Sequence, residues 1–537
     1  MEKLQISKNG RYFTYPDGTP FVWLADTAWT MPQRMKWDDV TYFMEERKRQ
    51  GFTVLQIVAL DPERDIEMRN PTGEKALLDD DLLTPNERYF SYLDWILDKA
   101  AEYGFYVLLL PVWGQLVVGH DWGGKTYEKT VTEANAYQYG KWIGERYKNK
   151  NHILWCLGGD RQPIHLGVDY RPVWRKMAEG LAKGITGKDL HYNRKDPAWE
   201  KLMITYHACH ERETGECSTM SYWTDEEAWI RFIMLQSGHG LEPKNYELVK
   251  KEYDRQQVMP VWDGEPAYEM MPTSWPPVNA SFHGSWMVRK RAYWSLFAGS
   301  FGHTYGHCSV WCSIAEKEKN AMSRLTWYEA LKCEGAEQMK YLRALMEDLR
   351  IMTYRPAQDL LPEENDSVEM DLHRQCCLNE ADKTVCVYLP SGGTAEVDLR
   401  KAGYGDVAYI WWYDPRDGKF YTSDGKETEN AQKMIVSAGK LQAESPEAGK
   451  EKDWVLIVKK EDGENPICDK VYFDAEKEGQ LKKVFVWYSK RMKSPEVPKG
   501  TFWDCKQSPR YRASPDFGYT KRQESMTDSC LFFSSAL

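Results

Sequence analysis

Short, almost wholly apolar runs recur along the first two thirds of the chain and predict eight β-strands. They span residues 21–26, 53–60, 105–112, 152–157, 202–207, 230–235, 258–262 and 299–305. Because the runs are continuous and do not alternate with polar residues, each predicted strand is buried on both faces. Amphipathic segments with helix-capping signals follow most of them and predict helices at residues 37–50, 86–103, 132–147, 171–183, 245–256, 285–297 and 326–349.

The alternation of strands and helices predicts an α/β fold. Eight units of this kind fit a closed (β/α)8 TIM barrel better than an open, doubly wound sheet. No GxGxxG motif follows any of the predicted strands, so a dinucleotide site has no support.

The pattern of apolar and polar residues changes after residue 361, where short strands separated by turn signals predict an antiparallel β-sandwich. The predicted strands span residues 384–389, 397–399, 408–413 and 454–458. We therefore divide the chain into a barrel at residues 1–360, a sandwich at 361–460 and an extension at 461–537. The extension contains one strand-like piece, at residues 484–488, and its fold is not predicted.

Composition excludes several classes of partner. A formal charge of −10 without a long basic run argues against nucleic acid, and no stretch of about 18 apolar residues suggests a membrane span. The first eight residues lack an apolar leader, so we expect a cytoplasmic protein; a secreted or periplasmic chain whose leader had been removed would look the same. The 12 scattered cysteines are expected to be reduced core thiols. The oligomeric state is not predicted.

Polar and aromatic residues cluster where the predicted strands end, and catalytic groups of a TIM barrel sit at the carboxyl ends of its strands. Asp160 follows the fourth strand and Glu265 the seventh, nearly opposite one another around the barrel. Two such carboxyl groups can flank a glycosidic bond, one as general acid and the other as nucleophile or base. We expect a sugar to be bound by Trp23, Asp26, Trp113, His207, Gln236, Trp262, Tyr268, His303 and Tyr305.

Each of these interpretations has a structural alternative. Asp160 and Arg161 could form an ion pair that shapes a loop, and Glu265 could cap a helix or pair with an arginine. Trp262 could be ordinary core. The histidine spacings 207/210 and 303/307 could suit a metal, but the first strand lacks the histidine pair with which barrel metallohydrolases usually open. We therefore predict no metal and no cofactor.

Three barrel motifs make the chain similar to one enzyme family. The segments GTPFVWLADTAW at 18–29, LGGD at 157–160 and DGEPAYE at 263–269 resemble the apiosidase-like catalytic domain of glycoside hydrolase family 140. The segments YLPSGG at 388–393 and WYDPRDG at 412–418 resemble the collagen-binding-type sandwich that follows it in that family.

This resemblance implies an enzyme that releases apiose-capped side chains from the pectin rhamnogalacturonan II, with Asp160 as acid/base and Glu265 as nucleophile. Related barrel glycosidases usually carry Asn-Glu where this chain has Gly159-Asp160. The missing leader favours a small imported oligosaccharide as substrate.

We accordingly expect a retaining glycoside hydrolase whose two carboxyl groups stand about 5 to 5.5 Å apart. The alternatives are a non-catalytic carbohydrate- or matrix-binding protein, a metal-dependent hydrolase, and a barrel glycosidase for a different sugar.

Overall fold

The computed structural model describes residues 1–119, 126–241, 243–274, 280–362 and 372–473. Its larger sheet has eight parallel strands, β1 to β8, with the spatial order β6-β7-β8-β1-β2-β3-β4-β5. Their bounds are Trp23–Thr27, Val54–Val58, Tyr106–Leu110, Ile153–Gly158, Ile204–His207, Ile233–Leu235, Val261–Asp263 and Gly302–Tyr305. The predicted TIM barrel is confirmed.

The barrel closes between β5 and β6 with the help of threonine hydroxyl groups. The Arg231 N–H donates to the Ile204 carbonyl at 2.9 Å, and the Thr205 hydroxyl donates to the Phe232 carbonyl at 2.6 Å. Farther along, the Thr219 hydroxyl donates to Tyr206 O at 2.6 Å and accepts from the Met234 N–H at 2.9 Å. These bonds satisfy backbone groups that the short strand β6 leaves without a ladder partner.

Helices surround the sheet and bury their apolar faces against it. Their bounds, α1 to α10, are Met31–Arg34, Trp37–Arg49, Glu87–Glu102, Gln115–Val118, Glu133–Tyr147, Arg171–Thr186, Asn245–Tyr253, Ser285–Phe297, Trp327–Ala330 and Glu334–Leu349. The single helix predicted at 326–349 is wrong, because the chain breaks at Leu331–Cys333 and starts again as α10. The first turn of α10 binds a buried carboxylate of the barrel, because the Gly335 N–H donates to the Glu269 carboxylate at 3.0 Å.

An aromatic core fills the interior of the barrel. Trp23 and Trp262 are fully buried, with ring centroids 5.4 Å apart, and both contact Phe301. Phe13, from the hairpin that pairs residues 5–6 with 13–14, packs edge-on against Phe301 at 5.0 Å. The sugar-stacking role predicted for Trp23 and Trp262 therefore has no basis in the structure, since both rings are enclosed by other side chains.

The second domain is an antiparallel sandwich, as predicted. Its strands, β9 to β17, are Arg355–Pro356, Gln375–Leu378, Val385–Leu389, Gly392–Asp398, Val407–Tyr413, Phe420–Tyr421, Gln432–Ile435, Lys440–Ala448 and Trp454–Lys459. Seven of them form one sheet, and β12 pairs with β16 in a second sheet whose buried residues share a core with the first. Strand β9, which precedes residue 361, already pairs with β10 of the sandwich. The division of the chain between residues 360 and 361 stays a prediction.

Helix α8 lies between the two domains. The Arg289 side chain donates to the Asp453 carboxylate through two nitrogens, at 2.9 and 2.7 Å, and both side chains are buried. Tyr388 stacks on Tyr293 with ring centroids 4.9 Å apart. The sandwich is therefore joined to the barrel by a buried, hydrogen-bonded interface.

Residues after the sandwich return to the barrel helices. Lys470 pairs with Glu347 and Asp348 of α10 at 3.1 and 2.5 Å, and Phe473 is buried beside Tyr103. The strand-like piece predicted at 484–488 lies outside the described residues.

Three further findings concern the described part of the chain. No helix there combines the length and the hydropathy needed to cross a membrane. The ten cysteines described are all free, and nine of them are buried. No group of three or more histidine, cysteine or acidic side chains in these residues is arranged to hold a metal ion.

Candidate active site

Strand β4 ends in a sharp turn that carries Asp160. Gly158, Gly159 and Asp160 have φ angles of +84°, +113° and +48°, all in the left-handed region. A Cβ on Gly158 would lie 2.4 Å from the His207 carbonyl oxygen, and a Cβ on Gly159 would lie 2.6 Å from the Trp113 ring. The two glycines of the LGGD motif are therefore required, whereas aspartate is among the residues that tolerate this conformation.

The His207 imidazole, at the end of β5, links the two predicted catalytic residues. Its Nδ1 accepts the Asp160 backbone N–H at 3.1 Å, and its Nε2 lies 2.7 Å from Glu265 Oε2. Because Nδ1 accepts, the ring's proton is on Nε2, from which it is donated to the Glu265 carboxylate. The structure thus brings Asp160, His207 and Glu265 together at one end of the barrel.

The Glu265 carboxylate receives a second imidazole from the loop after β6. His239 Nε2 lies 3.3 Å from Glu265 Oε1, while its Nδ1 lies 2.9 Å from the Pro266 carbonyl oxygen. Burial alone would raise the pKa of Glu265, but the hydrogen bonds from His207 and His239 outweigh it and hold that pKa well below its usual range. Glu265 is therefore ionised, as a nucleophile must be.

The Asp160 carboxyl group is held on both oxygens. Gln236 Nε2 donates to Oδ1 at 3.0 Å, and Arg161 Nη1 donates to Oδ2 at 2.9 Å. The Asp160 side chain is 24% exposed, whereas that of Arg161 is 2% exposed. The ion pair considered as the structural alternative does form, but it leaves Asp160 open to solvent at the mouth of the site.

Aromatic rings form one wall around His207. The rings of Trp29 and Trp113 lie 5.5 and 5.7 Å from the His207 ring, and 5.5 Å from each other. On the opposite side, the Tyr268 ring lies 4.3 Å from the His239 ring, and its hydroxyl group donates to Thr27 Oγ1 at 3.1 Å. Of the predicted binding residues, the structure thus gathers Trp113, His207, Gln236 and Tyr268 at the site.

The structure adds a third carboxyl group to this set. Glu63, in the loop after β2, accepts a hydrogen bond from the Trp113 indole N–H at 2.8 Å. Burial, reinforced by the charge of Asp61, raises the pKa of Glu63 to about 8, although Arg161 opposes the shift. Glu63 was missed because it lies five residues beyond its strand, where no strand-end signal marks it. Trp29 and His239 are also absent from the predicted site residues.

Asp26 lies away from this cluster. Its carboxylate accepts from Arg47 Nε at 2.6 Å and from the Thr27 N–H at 2.9 Å, and both charged side chains have no exposed surface. Arg47 belongs to α2, so the Asp26 side chain points outward into the helix layer. The structure therefore contradicts the hydroxyl-binding role predicted for Asp26 and gives it a structural role instead.

His303 and Tyr305 on β8 also point outward. His303 is fully buried, burial lowers its pKa to about 3, and neither ring nitrogen has a hydrogen-bond partner among the described residues. The Tyr305 hydroxyl donates to the Glu269 carboxylate at 2.7 Å. Both residues are enclosed beneath the helices, so the structure gives no support to their predicted contact with a sugar.

Solved structures similar to this chain include two glycoside hydrolases. One, described as a glycoside hydrolase, is 29% identical with a TM-score of 0.70, and the match covers 85% of this chain and 97% of that one. A glycoside hydrolase family 5 protein from Bacteroides vulgatus ATCC 8482 is 28% identical with a TM-score of 0.70, with 88% and 94% covered. No curated protein matches the chain.

Two protein families match the chain, one over each domain. Residues 356–459 match the family described as "Putative collagen-binding domain of a collagenase". Residues 7–353 match the family described as "Apiosidase-like, catalytic domain", which covers more than half of the chain. The barrel is thus a catalytic domain of the glycoside hydrolase type, and the chain belongs to the apiosidase-like catalytic domain family.

Proposed function

We propose that the protein is a retaining glycoside hydrolase that cleaves apiosyl or similar pentofuranosyl linkages in oligosaccharides of rhamnogalacturonan II. The observation that carries this proposal is the His207 bridge, which connects the Asp160 backbone to the Glu265 carboxylate. The family match supports the choice of sugar.

In the first step, the ionised Glu265 attacks the anomeric carbon while Asp160 gives a proton to the departing oxygen. His207 and His239 orient the nucleophile. In the second step, Asp160 takes a proton from water, and that water attacks the glycosyl–enzyme bond and restores Glu265. Two displacements at one carbon retain its configuration.

The sugar would lie between the aromatic wall and Tyr268. Trp113, which is 4% exposed, borders the site with an apolar ring, and Gln236 donates a hydrogen bond to Asp160 beside the proposed sugar. The substrate is accordingly a small oligosaccharide whose terminal sugar enters the end of the barrel.

The test is product analysis on rhamnogalacturonan II oligosaccharides. Wild-type protein should release a terminal pentose, and Glu265→Gln should abolish turnover on every substrate because no glycosyl–enzyme bond can form. Asp169→Asn is a control, since Asp169 pairs with Arg171 at the surface of the loop that follows β4. Release of another sugar by the wild type would indicate a different barrel glycosidase. Oligosaccharide binding without hydrolysis would indicate a binding protein.

Asp160→Asn separates the roles of the two acids. This variant should lose least activity on an aryl glycoside with an activated phenol, because such a leaving group needs no proton. Added azide should rescue part of the lost turnover by attacking the intermediate without a base. Identical responses of the Asp160 and Glu265 variants to leaving group and azide would contradict the assigned division of labour.

A further inference from the structure

The loop after β6, residues 236–241, sends side chains to both of the carboxyl groups proposed to act in hydrolysis. Gln236 Nε2 donates to Asp160 Oδ1 at 3.0 Å, and His239 Nε2 lies 3.3 Å from Glu265 Oε1. Only two residues separate Gln236 from His239 in the sequence, so the position of this β6 loop sets both contacts at once. Because the two carboxyl groups are assigned by the proposed function, the following inference rests on it.

Ser237, the residue that follows Gln236, is anchored to one carboxylate through both of its donors. Its N–H donates to Asp263 Oδ1 at 3.3 Å, and its hydroxyl group donates to Asp263 Oδ2 at 2.7 Å. Neither side chain has exposed surface. Hydrogen bonds to an ionised carboxylate are stronger than those between neutral groups. Asp263 therefore fixes the start of the β6 loop.

Asp263 acts from behind the site. Trp262 faces the interior of the barrel, so the next residue along β7, Asp263, faces the helix layer. There the side-chain amide of Asn245, the first residue of α7, donates to Asp263 Oδ2 at 3.0 Å and to the Arg291 carbonyl of α8 at 2.8 Å. Asp263 can therefore influence the reaction only through the groups that it binds.

Backbone hydrogen bonds tie the β6 loop to the segment that carries the nucleophile. The Gly264 N–H donates to the Leu235 carbonyl at 2.8 Å, and the Gly238 N–H donates to the Glu265 carbonyl at 3.1 Å. The loop and the residues after β7 thus run side by side. A shift of the loop at Ser237 is therefore transmitted to Glu265 as well as to the side chains that the loop carries.

Two other buried residues hold the far end of the β6 loop. His283 Nε2 donates to the His239 carbonyl at 2.6 Å, and Arg291 Nη2 donates to the carbonyls of Gly240 and Leu241 at 3.2 and 3.1 Å. These contacts begin at His239. The link to Asp263 lies before it, between the side chain that contacts the acid/base and the one that contacts the nucleophile.

We propose that Asp263 is a positioning residue for the hydrolysis. Through Ser237 it holds the β6 loop in the one conformation in which Gln236 contacts Asp160 while His239 contacts Glu265. A single buried carboxylate thereby coordinates protonation of the leaving oxygen with attack on the anomeric carbon. A misplacement of about 1 Å at a catalytic group can cost about a hundredfold in rate, so a modest shift of this loop is enough to slow both events.

Two variants break the link from either side. Ser237→Ala removes the hydroxyl donor, and Asp263→Asn places an amide nitrogen, which cannot accept, among three donors. Each should lower kcat by about tenfold or more on activated and on poor leaving groups alike, with KM changed by less than about twofold. Because both variants break one link, the double variant should lose little more than the worse single variant.

The matched control is Ser300→Ala, which removes an equally buried hydroxyl group at the opposite end of the barrel. Ser300 precedes β8, and its hydroxyl group bonds the backbone of Gly302. This variant should keep wild-type kcat and KM, and thermal unfolding shows that each variant is folded. Wild-type kcat in folded Ser237→Ala would overturn the proposal, as would losses that add fully in the double variant.

A second measurement requires no substrate. In protein labelled with 13C at histidine Cε1, the His239 ring resonance, assigned by its loss in His239→Phe, should move in Ser237→Ala. The resonance of His152, whose ring contacts the Leu97 carbonyl at the amino end of β4, should stay in place. An unmoved His239 resonance would overturn the proposal. Because this readout is independent of turnover, it separates a failure of positioning from a failure of the proposed activity.

Discussion

Replacing His239 with phenylalanine tests how the nucleophile is kept ionised. Each oxygen of the Glu265 carboxylate lies beside one imidazole, at 2.7 Å for His207 and 3.3 Å for His239. Both partners of His239, Pro266 O and Glu265 Oε1, are hydrogen-bond acceptors, so each ring nitrogen faces an acceptor. Phenylalanine preserves the ring contact with Tyr268 and removes both donors.

The size of the effect follows from the geometry. A hydrogen bond to a charged group contributes about 1.5 to 3 kcal/mol, and the 3.3 Å contact places His239 at the lower end of that range. One pKa unit corresponds to about 1.4 kcal/mol, so the pKa of Glu265 should rise by about one unit. His207 remains in place and continues to hold this pKa down. Because Glu265 must be ionised to attack, the acid limb of kcat/KM should move up by about one pH unit.

The assay is the pH profile of kcat/KM on an activated aryl glycoside, for which protonation of the leaving group does not limit the rate. His210→Phe provides the matched control, because His210 lies near Gln236 and Gly238 in the same region. An unmoved acid limb in His239→Phe, or an equal shift in His210→Phe, would refute the claim that His239 stabilises the carboxylate. Thermal unfolding of both variants shows whether the fold is retained.

Three further outcomes concern stability, each measured by urea unfolding. Trp262→Ala should lower the free energy of unfolding by about 3 to 5 kcal/mol, because it empties the fully buried centre of the barrel; a stable variant with a raised KM would restore Trp262 to the substrate site. Asp453→Ala should cost about 3 to 5 kcal/mol by leaving the Arg289 charge buried without its carboxylate, whereas Glu396→Ala, at an exposed pair with Lys440, should leave the stability almost unchanged. The pKa of Glu63 rises from 4.5 to about 8 on folding, so the native state binds this proton more tightly than the unfolded chain does. The wild type should therefore lose stability relative to Glu63→Gln as pH rises between those values. Parallel plots of the free energy of unfolding against pH for the two proteins would contradict that shift.

The sequence predicts the eight strands well but not which way each side chain faces. In a barrel, alternate residues of a strand face the interior or the helix layer, and both environments are apolar. A continuous apolar run such as residues 21–26 therefore does not show which of its residues face the interior of the barrel. The structure places Trp23 inside, among aromatic rings, and Asp26 outside, against Arg47. His303 is paired in register with Leu24 and also faces outward, so its position at a strand end does not bring it to the site.

The candidate site could be predicted where a residue lies just beyond a strand within a tight turn. Asp160 and Glu265 both follow glycines that allow close backbone approach, and His207 ends its own strand. Glu63 and His239 lie on longer loops and reach the site through tertiary contacts, with Trp113 and with Glu265. No local pattern of residues encodes such contacts, so only the folded chain reveals them.

Helix α8 determines whether the two domains can be produced separately. Every residue of this helix from Trp286 to Phe297 is buried, including Arg289, Lys290 and Arg291, because the barrel covers one side and the sandwich another. A barrel expressed without the sandwich would present Trp286 and Tyr293 to water and leave Arg289 without its carboxylate. A barrel without the sandwich should therefore aggregate, and production of the catalytic domain requires the sandwich on the same chain.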